Sequence, residues 1–206
     1  MDIYSFHGGV FVGVAELNPI LLSIPESFET DRLIIRAPLW EDGAAVNEAI
    51  KESIEQLRPW MPWAHALPSI EESEAGVRQA RLKFLERTDL RLHIMLKETG
   101  QFIGSSGLHR IDWKARKFEI GYWVRTSFSG QGYITEAADG ITNFAIQHLN
   151  ANRVEIRCDS RNSRSSQVAQ RLGFTLEGIL RSEERGVDGA LRDTMIFSKV
   201  RGAEFC

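Results

Sequence analysis

KFEIGYWVRTSFSGQGYITEA, residues 117–137, holds a strand, a glycine-bearing turn and a helix opening in one unbroken run. KFEIGYWV is rich in β-formers and alternates, and Thr135 onward carries the spacing of an amphipathic helix. Between them lie Ser129, Gly130, Gln131, Gly132 and Tyr133. Glycines at such a turn let main-chain N–H groups approach a ligand closely, and the helix N-terminus adds partial positive charge, so a phosphate suits the place. A plain strand-to-helix turn would use the same glycines. A P-loop would need Lys and then Ser or Thr after its last glycine, where Tyr133 and Ile134 stand. A dinucleotide fingerprint would need glycine at Thr135 and the first strand of a βαβ unit before it.

Working outward, RLHIML, QFIGSSGLHRI and KFEIGYWV read as a three-stranded meander turned at Glu98-Thr99-Gly100 and at residues 112–117. After the turn come a helix over 135–149, the strand RVEIRC, a helix over 163–172 and a hairpin built from FTLEGILRSEE and LRDTMIFSKV. Before the meander, DRLIIRAP is a strand ended by Pro38, and a helix with acidic residues at its start carries Ala45, Ile50, Ile54 and Leu57. Pro59 and Pro62 punctuate the loop RPWMPWAHALP, and Ser69 with Glu72 forms a capping box that opens a helix over 70–88. The series predicts an α+β domain around one mixed, mostly antiparallel sheet, with one strand-helix-strand crossover making a parallel pair.

The chain has 206 residues, enough for one domain over 28–202 with an N-terminal extension over 1–27. That extension includes the Gly-punctuated apolar run HGGVFVGVAELNPILL, read as one or two short strands split near Asn18-Pro19. It has no Lys/Arg start and carries Asp2, Glu16 and Pro19, unlike a signal segment. A net charge of −3 offers no basic stripe for nucleic acid, and no apolar run reaches the length of a membrane span. Cys158 and Cys206 suit neither a disulfide framework nor a metal site, and fit a reducing cytoplasm. A homodimer is compatible with the sequence and not required by it.

EIGYWVRTSFSGQGYITEA, together with RCDSRNSRSSQVAQRLGFTLEGILR, resembles the GNAT superfamily of N-acetyltransferases, and most its RimJ/RimL-type ribosomal-protein branch, over about residues 29–200. The resemblance implies acetyl-CoA as co-substrate, no metal, and a splayed notch between KFEIGYWV and RVEIRC. The diphosphate would rest on Ser129, Gly130, Gln131, Gly132, Tyr133, Ile134 and Thr135. The backbone of Trp123 and Val124 would hold the thioester carbonyl and pantetheine arm, Asn162 that arm as well, and Ser165 the leaving sulfur. The family's consensus differs at Ser129 and Ile134, and Ile134 would add bulk near a phosphate. The acceptor implied is a protein N-terminal α-amine, with a small-molecule amine or a non-catalytic acyl-CoA-binding role as alternatives.

Acyl transfer to an amine needs a neutral nitrogen, a proton acceptor, a polarised carbonyl and stabilisation of the thiolate. Strand alternation puts Glu119, Gly121 and Trp123 on one face, which makes Glu119 the leading base candidate, with Glu184 second. Glu119 could equally pair with Arg36 or Arg110 on the surface. Asn162 or Ser165 could simply cap a helix, and Cys158, placed near the active centre in some relatives, could be an inert core thiol. His109 lacks a neighbouring acid in sequence and reads as a strand histidine on the acceptor side. Trp60, Met61 and Trp63 either plug the core or wall the acceptor cleft.

Overall fold

A computed structural model of the chain describes residues 18–206. Its elements run β1 (Ser27–Glu29), β2 (Leu33–Arg36), α1 (Gly43–Leu57), α2 (Ile70–Glu86), β3 (Leu90–Leu96), β4 (Phe102–Asp112), β5 (Lys117–Val124), α3 (Tyr133–Leu149), β6 (Arg153–Asp159), α4 (Ser163–Arg171), β7 (Thr175–Arg185) and β8 (Leu191–Val200). The eight strands form one sheet in the order β1-β2-β3-β4-β5-β6-β8-β7. Every neighbouring pair is antiparallel except β5 with β6. The mixed α/β architecture expected from the element series is the one observed.

Two faces follow from strand alternation. Leu33, Ile35, Leu90, Leu92, Ile94, Leu108, Phe118 and Ile120 are fully buried and pack with Ile141, Phe144 and Ala145 of α3 into the main core. Burying each such large apolar side chain contributes about 1.5–3 kcal/mol. On the opposite face, His93 lies under the start of α1, where Asp42 accepts hydrogen bonds from Arg36 and from the His93 ring.

Asp42 stands at the N-cap of α1, in line with the acidic helix start read from the sequence, and makes no side-chain cap. Burial alone would raise its pKa, but the Arg36 and His93 contacts hold the carboxyl well below the usual range. The capping box of α2 is present, Ser69 accepting from the Glu72 amide and Glu72 from the Ser69 amide. α3 begins two residues earlier than the sequence suggests, at Tyr133. The N-terminal apolar run was expected to be strands; its described end is instead a 3-10 turn, Pro19–Leu21, capped by Asn18, and its earlier part lies outside the described residues. Leu22 and Ile24 pack against the core, so the fold begins before β1. Among the described residues no helix is long and apolar enough to cross a membrane.

Candidate active site

The parallel pairing of β5 with β6 runs from Lys117 opposite Arg153 to Ile120 opposite Ile156 and stops there. Past that point the two strands diverge, leaving a gap flanked by residues 121–124 and 157–159. Arg125 N donates to Ile103 O, and in an antiparallel ladder the bonded residues alternate, so Trp123 pairs with Ser105 while the Val124 amide turns toward the gap. Val124 is therefore the better placed of the two residues expected to hold a carbonyl, and Trp123 contributes its indole.

Beyond the gap, Gly130 and Gly132 adopt φ of +76° and +82°, left-handed values that suit glycine. Ser129 N closes a turn on Thr126 O, and Glu136 N is the first α3 amide to find a helical partner, Gly132 O. Among the described residues, no group accepts from the amides of 130–135. Six consecutive unpaired donors running into a helix N-terminus are a cradle that could hold an anion. Thr135 and Arg171 line the same hollow as Gly130 and Gly132, and Arg171, which sequence reasoning missed, brings a cation to it. Ile134 packs against the core with Tyr133, so its bulk does not occupy the cradle as its place in the sequence suggested.

The cradle is fixed from two sides. Arg32 donates to Gln131 O at 3.1 Å, binds Glu136 at 2.6 Å and lies 4.3 Å over the Tyr133 ring, while Gln131 Nε2 donates to Ser127 O. From α1, Glu48 and Glu52 pair with Arg125, Glu52 accepts from Ser127 N, and Ser53 Oγ accepts from Thr126 N. These contacts, between residues more than seventy positions apart, anchor residues 125–127 and leave no local trace in the sequence.

On the α4 side of the gap, Asn162 caps the helix by accepting from Ser165 N at 3.1 Å. No described group pairs with its Nδ2. The Tyr122 hydroxyl lies 3.1 Å from both the Ser165 carbonyl oxygen and Ser165 Oγ. Burial pushes the Tyr122 phenol up, so it keeps its proton at neutral pH. Cys158 is buried in the core cluster beside Ser165, and burial raises its thiol, which leaves it un-ionised and a poor nucleophile.

On the other face, Glu119 has 17% of its side chain exposed, with Arg110 at 3.6 Å and Arg157 at 4.0 Å. Arg36, its other expected partner, is taken by Asp42. No described group donates a hydrogen bond to Glu119, and burial raises its pKa against the pull of Arg110 and Arg157. Glu184 is instead paired with Arg192, and also with Arg110 at 3.6 Å. His109 stands directly across from Glu119 on β4 and does have an acid partner, since its Nδ1 lies 2.7 Å from Asp89 Oδ2. Trp63 sits in the 3-10 turn Pro62–His65, is 42% exposed, and meets the Trp123 ring at 5.9 Å. Trp123 in turn contacts Phe102, so the loop lies on the Glu119 face, with Trp60 and Met61 half-buried beside it.

Known proteins share this fold. The family model for the acetyltransferase (GNAT) domain matches residues 32–175. The ribosomal-protein-serine acetyltransferase of Escherichia coli (strain K12) is 30% identical over 146 residues, 69% of this chain and 80% of that protein. The Bacillus licheniformis protein named "Uncharacterized N-acetyltransferase p20" is 33% identical over 117 residues, 57% of this chain and 65% of p20. Among solved structures, the Microcin C7 self immunity acetyltransferase MccE, in complex with acetyl-CoA and AMP, superposes with a TM-score of 0.77 at 26% identity, over 84% of this chain and 94% of that one. The RimL ribosomal L7/L12 alpha-N-protein acetyltransferase in complex with coenzyme A shares the fold, with a TM-score of 0.78 at 23% identity over 87% and 98% of the two chains. With a parallel pair that opens onto an amide-lined helix start, and a family match across that whole region, the chain belongs to the GNAT family of N-acetyltransferases.

Proposed function

We propose that this N-acetyltransferase moves the acetyl group of acetyl-CoA to the N-terminal α-amine of a protein, ribosomal proteins being the acceptor class suggested by its relatives. The observation that carries the reading is the row of unpaired amides at 130–135 beside the gap between β5 and β6. A diphosphate fits those donors and Arg171, and bound acetyl-CoA would supply the thioester.

The chain's own groups then divide the work. The Val124 amide and Asn162 Nδ2 hold the arm that enters the gap. Ser165, with Tyr122 behind it, donates a hydrogen bond to the departing sulfur, and Cys158 serves as an apolar wall. Glu119, a largely buried carboxylate to which no described group donates a hydrogen bond, attracts the cationic amine from the opposite face. Trp60, Met61 and Trp63 wall the acceptor's approach.

Free thiol release from acetyl-CoA in the presence of peptides beginning with Ser or Ala, against polyamines and aminoglycosides as alternative acceptors, tests the reading. Ser165→Ala should lose turnover and keep acetyl-CoA affinity. Cofactor uptake without thiol release from any acceptor would mean a binding protein instead.

A further inference from the structure

We propose that His109, oriented by Asp89, is the group that takes the proton from the acceptor amine; this rests on the acetyltransferase reading above. Histidine needs a fixed tautomer to act as a base, and the structure fixes one. Nδ1 lies 2.7 Å from Asp89 Oδ2, so in the neutral ring Nδ1 carries the hydrogen and Nε2 presents its lone pair. Asp89 is itself held ionised: burial would raise its pKa, but the His109 hydrogen bond and charge lower it.

Position matters as much as tautomer. A methyl group placed on Gly121 would lie 3.2 Å from His109 Cδ2 and 3.5 Å from Nε2, so the ring edge covers the main chain of Gly121. Gly121 is the first β5 residue past the last parallel pair, Ile120 with Ile156. With no side chain there, an amine coming from the Trp63 face can reach the gap beside Nε2. The imidazole is about a quarter exposed, so its proton can pass on to solvent.

The charged groups around the ring agree with this role. Glu119 faces it across β4 and β5, itself flanked by Arg110, Arg157 and Glu155. Asp89 bonds it from the turn before β3, with Arg91 and Lys83 nearby. Two carboxylates bracket a ring that must become cationic, and Glu119, whose contacts with Arg110 and Arg157 are longer than hydrogen bonds, holds the amine while His109 removes its proton. The ammonium drawn in by Glu119 first gives one proton to water; the neutral nitrogen then attacks, and as the N–C bond forms and the C–S bond breaks it gives its second proton to Nε2. The sulfur leaves as thiolate, bonded by Ser165, and is protonated from solvent, while the imidazolium returns its proton to water. Asp89 is a positioning residue in this scheme.

The test combines kinetics with a spectroscopic readout of the unliganded chain. His109→Ala should lower kcat about 100-fold while acetyl-CoA affinity stays at the wild-type value, and added imidazole should restore much of the turnover. Histidine 15N shifts of the free protein should show an Nδ1–H tautomer for His109, lost in Asp89→Asn. Wild-type turnover in His109→Ala, loss that imidazole does not rescue, or an Nε2–H tautomer in the wild type would each overturn the assignment. If the wild-type chain releases no thiol at all, the acetyltransferase reading itself falls, and the relay with it.

Discussion

Replacing Gly132 with valine tests the amide cradle directly. At φ of +82° this residue sits where an L side chain costs roughly 1–2 kcal/mol, and a β-branched one more. Space is not the obstacle, since an added methyl would meet only Arg32 Nη2, at 3.5 Å, an ordinary contact. The whole cost therefore falls on the backbone, and the turn relieves it by rotating out of the left-handed region. That rotation redirects the amides on either side of residue 132. A hydrogen bond from an amide to a charged phosphate oxygen contributes about 1.5–3 kcal/mol, so losing one should weaken coenzyme A binding about 10- to 100-fold. Asparagine tolerates the left-handed region, and Gly132→Asn should bind nearly as the wild type does. Calorimetry with coenzyme A measures the affinities. Acetyl-pantetheine, which has the thioester and no phosphate, supplies the control, because its turnover should be equal in all three proteins. Wild-type affinity in Gly132→Val, or an equal loss with acetyl-pantetheine, would refute the phosphate assignment.

Arg125→Ala removes the tie from α1 to the segment leading into the cradle; we expect a stability loss of about 1 kcal/mol in denaturant titration and several-fold weaker coenzyme A binding. Tyr122→Phe deletes the hydroxyl that backs Ser165, and stopped-flow kinetics should show kcat lowered about 10-fold with acetyl-CoA affinity kept. Because folding raises the pKa of Glu119, its ionisation disfavours the native state, so this penalty is absent in acid and grows as pH rises through the folded pKa. Glu119→Gln should then melt higher than the wild type at pH 8 and lose that advantage at pH 4; an equal difference at both values would contradict the burial argument. Trp63→Ala should raise KM for the acceptor about 10-fold and leave KM for acetyl-CoA alone, as steady-state kinetics with each substrate varied will show.

What the sequence made legible is what short-range chemistry decides. The β5 run, the glycines at 130 and 132 and the Ser69 capping box each act within a few residues, and each is found where it was read. β1 went unread because Ser-Phe-Glu carries no pattern of its own and becomes a strand only by pairing with β2. Asp42 does stand at the start of α1, but which groups take its carboxylate, Arg36 and His93 rather than the helix amides, is again decided by the fold. In the site, the direction of Ile134 depends on which side of α3 faces the core, and the turn alone does not fix that. Asp89 and His109 are twenty positions apart, Tyr122 and Ser165 forty-three, so neither pair leaves a local trace.

The sheet itself explains why those long-range pairs sit where they do. Alternation along β5 sends Tyr122 to the α4 face and Glu119, Gly121 and Trp123 to the other, so groups suited to a leaving sulfur and groups suited to an incoming amine are separated by one strand's thickness. Hydrogen bonds seal that wall as far as Ile120 and Ile156. Beyond this last rung the strands part, and the first residue of the opening is a glycine. A side chain at 121 would crowd the His109 ring or narrow the passage, whereas a bare main chain lets the two half-sites meet. Chemistry at this site thus depends on where the pairing ends: two further pairs in the same register, Gly121 with Arg157 and Tyr122 with Cys158, would close the gap with every side chain discussed here still in place.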